Sequence, residues 1–191
     1  MLVALVSVPL TGGRLGELAE VRLRQRWTIL AALAIQILIT TILPEGSASL
    51  HAGLHLGTYV LAGVFVAANR RLPGMWLIAL GAGLNLLVIA ANGGVMPADP
   101  GALERAGLPT VSGEFENSAA LANPRLPFLG DVFAIPASLP FANVFSIGDV
   151  VLLVGGFLAL HCLCGSRLVP KALRSTAFSS PESDLEPSDR P

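Results

Sequence analysis

Two aspartates carry the chemistry this chain could perform. Asp131 follows Leu129-Gly130, Asp149 follows Ser146-Ile147-Gly148, and a connector rich in Pro and Phe joins the two Gly-Asp steps. Asp149 opens an apolar run, and a carboxylate at the mouth of a hydrophobic helix is costly to keep, so a functional site is the default reading. Two carboxylates held close in a poorly solvated place cannot both ionise. One then keeps its proton, which supplies an acid beside a base able to activate water. The competing reading is local, since Asp is a favoured N-cap whose oxygen accepts the first free amide protons of a helix. That suits Asp149 better than Asp131, which precedes no helical run.

Other polar residues recur at helical spacing. His51 and His55 stand at i, i+4 and share a helix face, a spacing that can bind a metal or carry a proton. With only two ligands they read equally as histidines tolerated at a wet interface, so no metal site is assigned and the pair is an alternative. Asn85 and Asn92 are seven residues apart, two turns along one face. Asn92 opens Asn92-Gly93-Gly94-Val95-Met96-Pro97, where the glycines permit backbone conformations closed to other residues and Pro97 prevents the helix from resuming. Cys162 and Cys164 are too close in sequence to bridge on a helix and too few for a Cys-based metal site, and His161 beside them reads as a packed residue. No cofactor is expected.

These groups must be positioned by an unusually apolar chain. Of its 191 residues 53% are hydrophobic and 13% charged, against about a quarter charged in soluble domains. This composition predicts an integral membrane protein, with the lipid bilayer as its first partner. No basic face suggests nucleic acid. Uncharged runs predict spans at about 27–43, 50–68, 75–91 and 148–165. Residues 1–10 are apolar but too short to cross, and read either as a half-span or as the remainder of a longer one. Gln36, midway along the first run, is expected to bond a neighbouring helix.

Basic residues fall at alternate boundaries: Arg14, Arg22, Arg24 and Arg26, then Arg70 and Arg71, then Arg167, Lys171 and Arg174. By the positive-inside rule these mark the cytoplasmic side. Residues 92–147 then form one long extracytoplasmic connector, whose Phe128, Phe133, Phe141 and Phe145 hold its second half against the membrane surface. The expected fold is an all-α integral membrane helix bundle of four or five spans in the cell membrane. Residues 1–165 form the membrane domain and 166–191 a disordered cytoplasmic tail rich in Ser, Pro and acid.

Two resemblances add to this. Leu129-Gly130-Asp131-Val132-Phe133 and Phe141 to Gly155 resemble the carboxyl half of the bacterial lipoprotein signal peptidases, which implies Asp131 and Asp149 as an aspartyl dyad. Gly81-Ala82-Gly83-Leu84-Asn85 is loosely similar to that family's Gly-Gly-x-x-Gly-Asn step, and Asn92-Gly93-Gly94 to its Asn-x-Gly. The chain departs from the pattern in having Val132 between Asp131 and Phe133, no Asp-Arg after Asn85, and Phe145-Ser146-Ile147-Gly148-Asp149 without the Asn of that family's Asn-x-x-Asp lead into the last span. A resemblance covering nearly the whole chain to Gly165 is to a family of bacterial multi-span proteins of unknown function. It rests on Gly12-Gly13-Arg14-Leu15, Leu84-Asn85, Asn92 to Pro97, Leu129-Gly130-Asp131 and Ser146-Ile147-Gly148-Asp149, and implies no activity.

The resulting expectation is an outward-facing site with Asp131 and Asp149 catalytic and Asn85, Asn92, Gly93, Gly94, Met96, Pro97, Ser146 and Gly148 supporting them. It would act as an aspartyl-type membrane hydrolase or peptidase on a membrane-anchored peptide. The alternatives are a non-enzymatic assembly or scaffold subunit bound to another membrane protein, and a metal or proton site using His51 and His55.

Overall fold

The computed structural model describes residues 2–42, 47–110 and 118–170. Residues 111–117 of the connector and the expected tail from residue 171 lie outside them. Four apolar helices dominate: α2 (Arg26–Ile37, continued by a π-helical turn Leu38–Ile42), α3 (Ala48–Ala68), α4 (Met75–Ala91) and α6 (Ile147–Leu163). Their positions coincide with the predicted runs, but their lengths do not all suffice. Ser49–Ala68 alone among the described residues is long and apolar enough to cross a membrane, whereas Arg26–Ile42, Met75–Ala91 and Ile147–Leu163 are shorter. At 1.5 Å rise per residue a helix of this shorter kind reaches about 25 Å, less than the ~30 Å hydrocarbon core. The architecture shown is therefore a mostly helical chain with, among the described residues, one helix of spanning length.

Helices α4 and α6 pack antiparallel through glycines. Gly74 and Gly81 are seven residues apart, as are Gly148 and Gly155, so each pair lies two turns along one face. Gly74 meets Gly155 and Gly81 meets Gly148, backbone against backbone. A Cβ on Gly155 would stand 2.8 Å from the Ile78 amide nitrogen, and one on Gly81 2.8 Å from that of Leu152. Small residues at such a crossing let two helices approach closely enough for van der Waals packing to hold them. Helix α2 lies beside α3, where the Thr58 hydroxyl donates to Gln36 Oε1 at 3.4 Å.

The amino-terminal stretch is folded. Helix α1 (Leu2–Leu10) packs against the end of α6 through Ala4, Val8, Leu160 and Cys164. Polar contacts pin it there: Ser7 Oγ lies 3.0 Å from His161 Nε2, Thr11 Oγ1 lies 2.6 Å from Ser166 Oγ, and the Arg14 amide donates to the Cys164 carbonyl. His161 is thus a packed residue, its ring tilted against that of Phe157, and both cysteines are buried and free. Ser166 and Val169 are buried in the turn that follows α6.

The connector between α4 and α6 departs furthest from the all-α expectation. It contains β1 (Met96–Pro97), α5 (Pro100–Ala106), β2 (Ser118–Ala119), β3 (Asp131–Ile135) and β4 (Asn143–Ser146). Strand β1 pairs parallel with β2, and β3 antiparallel with β4. Helix α5 follows from its sequence: Asp99 caps it by accepting from the Ala102 amide at 2.8 Å, Pro100 opens its first turn, and Gly107 closes it at φ +68°. Ala98, Ala102, Leu103, Ala106 and Val144 form a small core beneath it. The connector therefore has its own packed interior.

Candidate functional site

Strand β4 runs directly into α6, and this junction builds one half of the site. Ser146, the last residue of β4, is the N-cap of α6, and Asp149 is its third residue. The Asp149 amide donates to Ser146 Oγ at 3.0 Å while Asp149 Oδ2 accepts from the Ser146 amide at 2.9 Å, a reciprocal capping box. Asp149 is thus part of a cap, but Ser146 rather than Asp149 occupies the capping position. The glycine crossing brings Asn85 of α4 alongside. Its Nδ2 donates to Asp149 Oδ1 at 2.7 Å, and its Oδ1 stands 2.9 Å from Ser146 Oγ. A Cβ on Gly148 would collide with the Asn85 amide, so Gly148 is what allows this contact.

Asp131 opens β3, with its Cα opposite that of Ser146, and it is 3% exposed. The hairpin register slips by one residue between Asp131 and Phe133, because Phe133 pairs with Phe145. Val132 is therefore a bulge. In an unbroken strand Asp131 and Phe133 would share a face; the extra residue turns Asp131 onto the face of Ser146 and leaves Phe133 stacked on Phe145, ring centroids 5.3 Å apart, on the other. Gly130 supports this placement by lying against the Pro97 carbonyl, where a side chain has no room. The Asp131 backbone carbonyl accepts from the Asp99 amide at 3.0 Å.

Both carboxylates line one cavity of about 460 Å³. Asn85 and Ser118 stand with them, the Ser118 hydroxyl donating to Asp131 Oδ2. Across the space are Gln36, His55, Thr58 and Tyr59, and the remaining wall is apolar, including Leu30, Leu33, Ile89 and Met96. The two acids differ in surroundings. Burial raises the Asp131 pKa from 3.8 to about 6; the Ser118 hydrogen bond opposes this and the neighbouring Asp149 charge adds to it. Asp149 Oδ1 accepts from the Asn85 amide, and its Oδ2 from the Ser146 backbone and hydroxyl.

The other expected supporting residues divide. Met96 lines the cavity, and Pro97 supports Gly130. Gly93 and Gly94 adopt φ +72° and +100°, and the Gly94 carbonyl accepts from His55 Nδ1 at 2.8 Å. Asn92 stands apart, binding the Arg125 backbone and so tying the connector to α4. His55 faces the cavity, whereas His51 is buried on α3 and does not line it. Among the described residues no group of three or more His, Cys, Asp or Glu side chains could hold a metal ion. Sequence reasoning missed Ser118 and Tyr59. Tyr59 is i+4 from His55, a signal that was available; nothing around Ser118 marks it, because it reaches Asp131 through a two-residue strand pairing.

Comparisons with known proteins agree on kinship without naming an activity. An uncharacterized protein of Thermotoga maritima is 32% identical over 103 residues, which cover 53% of this chain and 58% of that relative. The match thus spans less than two thirds of the relative's length. No solved structure matches the chain. A family model covers residues 20–161, from before α2 to the last turn of α6, and so includes every residue of the cavity; the chain belongs to DUF5317, a family of unknown function.

Proposed function

We propose that this chain is a multi-pass cell-membrane protein whose Asp131 and Asp149 form an aspartyl-type acid–base pair for hydrolysis of a membrane-anchored peptide. The observation that carries the reading is that two carboxylates of unlike surroundings line one largely apolar cavity. The membrane part draws support from the inverted distribution of polarity: only 17% of the spanning window of α3 is buried, Val60, Trp76, Leu87 and Val154 face outward, and His51, Asn85 and Asp131 face inward. Three shorter apolar helices accompany α3, each near the lower limit for crossing. The Asn69 side chain binds the Arg24 backbone, gathering Arg22, Arg24, Arg26, Arg70 and Arg71 at the end of the bundle opposite the aspartates. That polarity suits an extracytoplasmic cavity and a cytoplasmic basic end.

In this reading Asp149 takes a proton from water, whose oxygen attacks the substrate carbonyl carbon, while Asp131 gives its proton to the carbonyl oxygen. In the tetrahedral intermediate Asp149 passes its proton to the amide nitrogen as the C–N bond breaks, and Asp131 recovers its own from the gem-diol. One water is consumed and both acids return to their starting states. Asn85 and the Ser146 backbone hold Asp149 in place throughout.

The test is cleavage of a quenched-fluorescence peptide library bearing an acyl anchor, by the detergent-purified chain and its Asp131→Asn and Asp149→Asn variants. Loss of cleavage in both variants, with membrane insertion retained, is expected; cleavage unchanged in either refutes the dyad. One observation favours a second reading, a non-catalytic assembly subunit: Asp149 already completes the α6 capping box. Under it, Asp149→Asn lowers stability and the unsubstituted chain cleaves nothing.

A further inference from the structure

On the other side of Tyr59 from the aspartate cavity, a groove of about 480 Å³ runs between α3 and α4. We propose that it binds one acyl chain of an anionic phospholipid from the cytoplasmic leaflet, with Arg70 holding the headgroup phosphate. The inference rests on the membrane reading above and is independent of the aspartate chemistry.

The groove is made by what its helices lack. Gly63 and Ala67 of α3 and Ala79 and Gly83 of α4 line it. Unlike the glycines of the α4–α6 crossing, Gly63 and Gly83 have open space where a Cβ would stand. The absent side chains therefore leave room rather than allow a contact. Length argues for a lipid chain. From Tyr59 to Arg70 the groove follows about three turns of helix, roughly 16 Å, about half of the ~30 Å hydrocarbon core and so one leaflet. A helix from a second copy would run the full thickness.

Charge argues for an anionic headgroup. Arg70 and Trp76 close the groove at its basic end, and both are exposed. Arg71 adjoins Arg70, and the Asn69 side chain holds the Arg24 backbone beside them. Among the described residues no acid pairs with Arg70, the Arg14–Glu17 pair at 3.4 Å not involving it. An interfacial Trp beside a basic cluster at the cytoplasmic boundary is the arrangement that recognises anionic headgroups.

The test uses Trp76 as the probe. In a Trp27→Phe background the full chain is reconstituted in vesicles of phosphatidylcholine containing a small fraction of brominated phosphatidylglycerol or, separately, brominated phosphatidylcholine. Trp76 is expected to be quenched preferentially by the glycerol lipid. Arg70→Gln should reduce the preference about fivefold, the factor that about 1 kcal/mol per basic residue implies. Gly83→Leu, whose Cβ enters open space and whose longer side chain occupies the groove, should bring quenching down to the phosphatidylcholine level. Equal quenching by both lipids overturns the proposal, as does a preference that Gly83→Leu leaves intact. So does a Gly83→Leu chain that changes from dimer to monomer in light scattering, since the groove then belongs to a second copy. Resistance to carbonate extraction is measured in parallel: an extracted chain refutes the membrane reading itself, and an inserted chain without lipid preference refutes the groove alone.

Discussion

Replacing Asp131 by Asn should make the protein more stable at neutral pH and remove a pH dependence that the native chain carries. Asp131 has its pKa raised from 3.8 to about 6, mainly by burial, with the Asp149 charge adding to it against the opposing Ser118 hydrogen bond. The folded state thus binds this proton more tightly than the unfolded state. Its contribution to stability is full below the unfolded value near 4 and is lost as pH rises through about 6. A shift of about two units corresponds to about 3 kcal/mol. For a chain of this size that is a change in melting temperature on the order of 10 °C. The assay is thermal unfolding in detergent, followed by tryptophan fluorescence, of the native chain and Asp131→Asn between about pH 4.5 and pH 7.5. All other groups titrate in both proteins, so the difference between their curves isolates Asp131. The difference should widen as pH rises. Parallel curves would refute the claim that Asp131 is held in a poorly solvated cavity. Ser118→Ala, which removes the hydrogen bond favouring the ionised form, should move the native chain's decline to higher pH.

Two further perturbations test the architecture. Gly155→Ala places a Cβ 2.8 Å from the Ile78 amide nitrogen and should cost about 1–3 kcal/mol by overpacking, whereas Gly83→Ala enters open space and should be neutral or stabilising by up to about 1 kcal/mol; thermal unfolding of the two variants distinguishes them. Deleting Val132 makes Phe133 the direct successor of Asp131, so strand alternation keeps the two on opposite faces and Asp131 opposite Ser146; cleavage by the deletion variant should persist with the hairpin intact, and its loss would show that pairing with Ser146 alone does not aim the carboxylate.

Much of the helical framework was legible because it depends on composition over long windows. The apolar runs and their Pro, Gly and basic boundaries located α2 with its π-helical continuation, α3, α4 and α6 to within two residues, and the same reasoning picked out Asp131, Asp149 and Asn85 as unusual polar residues among apolar neighbours. It assigned the connector no secondary structure, where a short helix and four short strands lie around a small core. Two-residue strands such as β1 and β2 carry no periodicity to detect, and their stability comes from partners distant in the chain.

What the sequence alone determined is the material: a chain too apolar for an ordinary soluble domain, its arginines and aspartates segregated along it, and glycines at seven-residue spacing in two helices. Only the tertiary structure decided which of these meet. The pairing of Gly81 with Gly148 sets Asn85 against Asp149, and the Val132 bulge turns Asp131 toward Ser146. Ser118 reaches Asp131 across a strand pairing that no local signal announces. Local patterns act through the turn or strand that contains them, whereas a cavity is formed by backbone approaches between segments far apart in sequence.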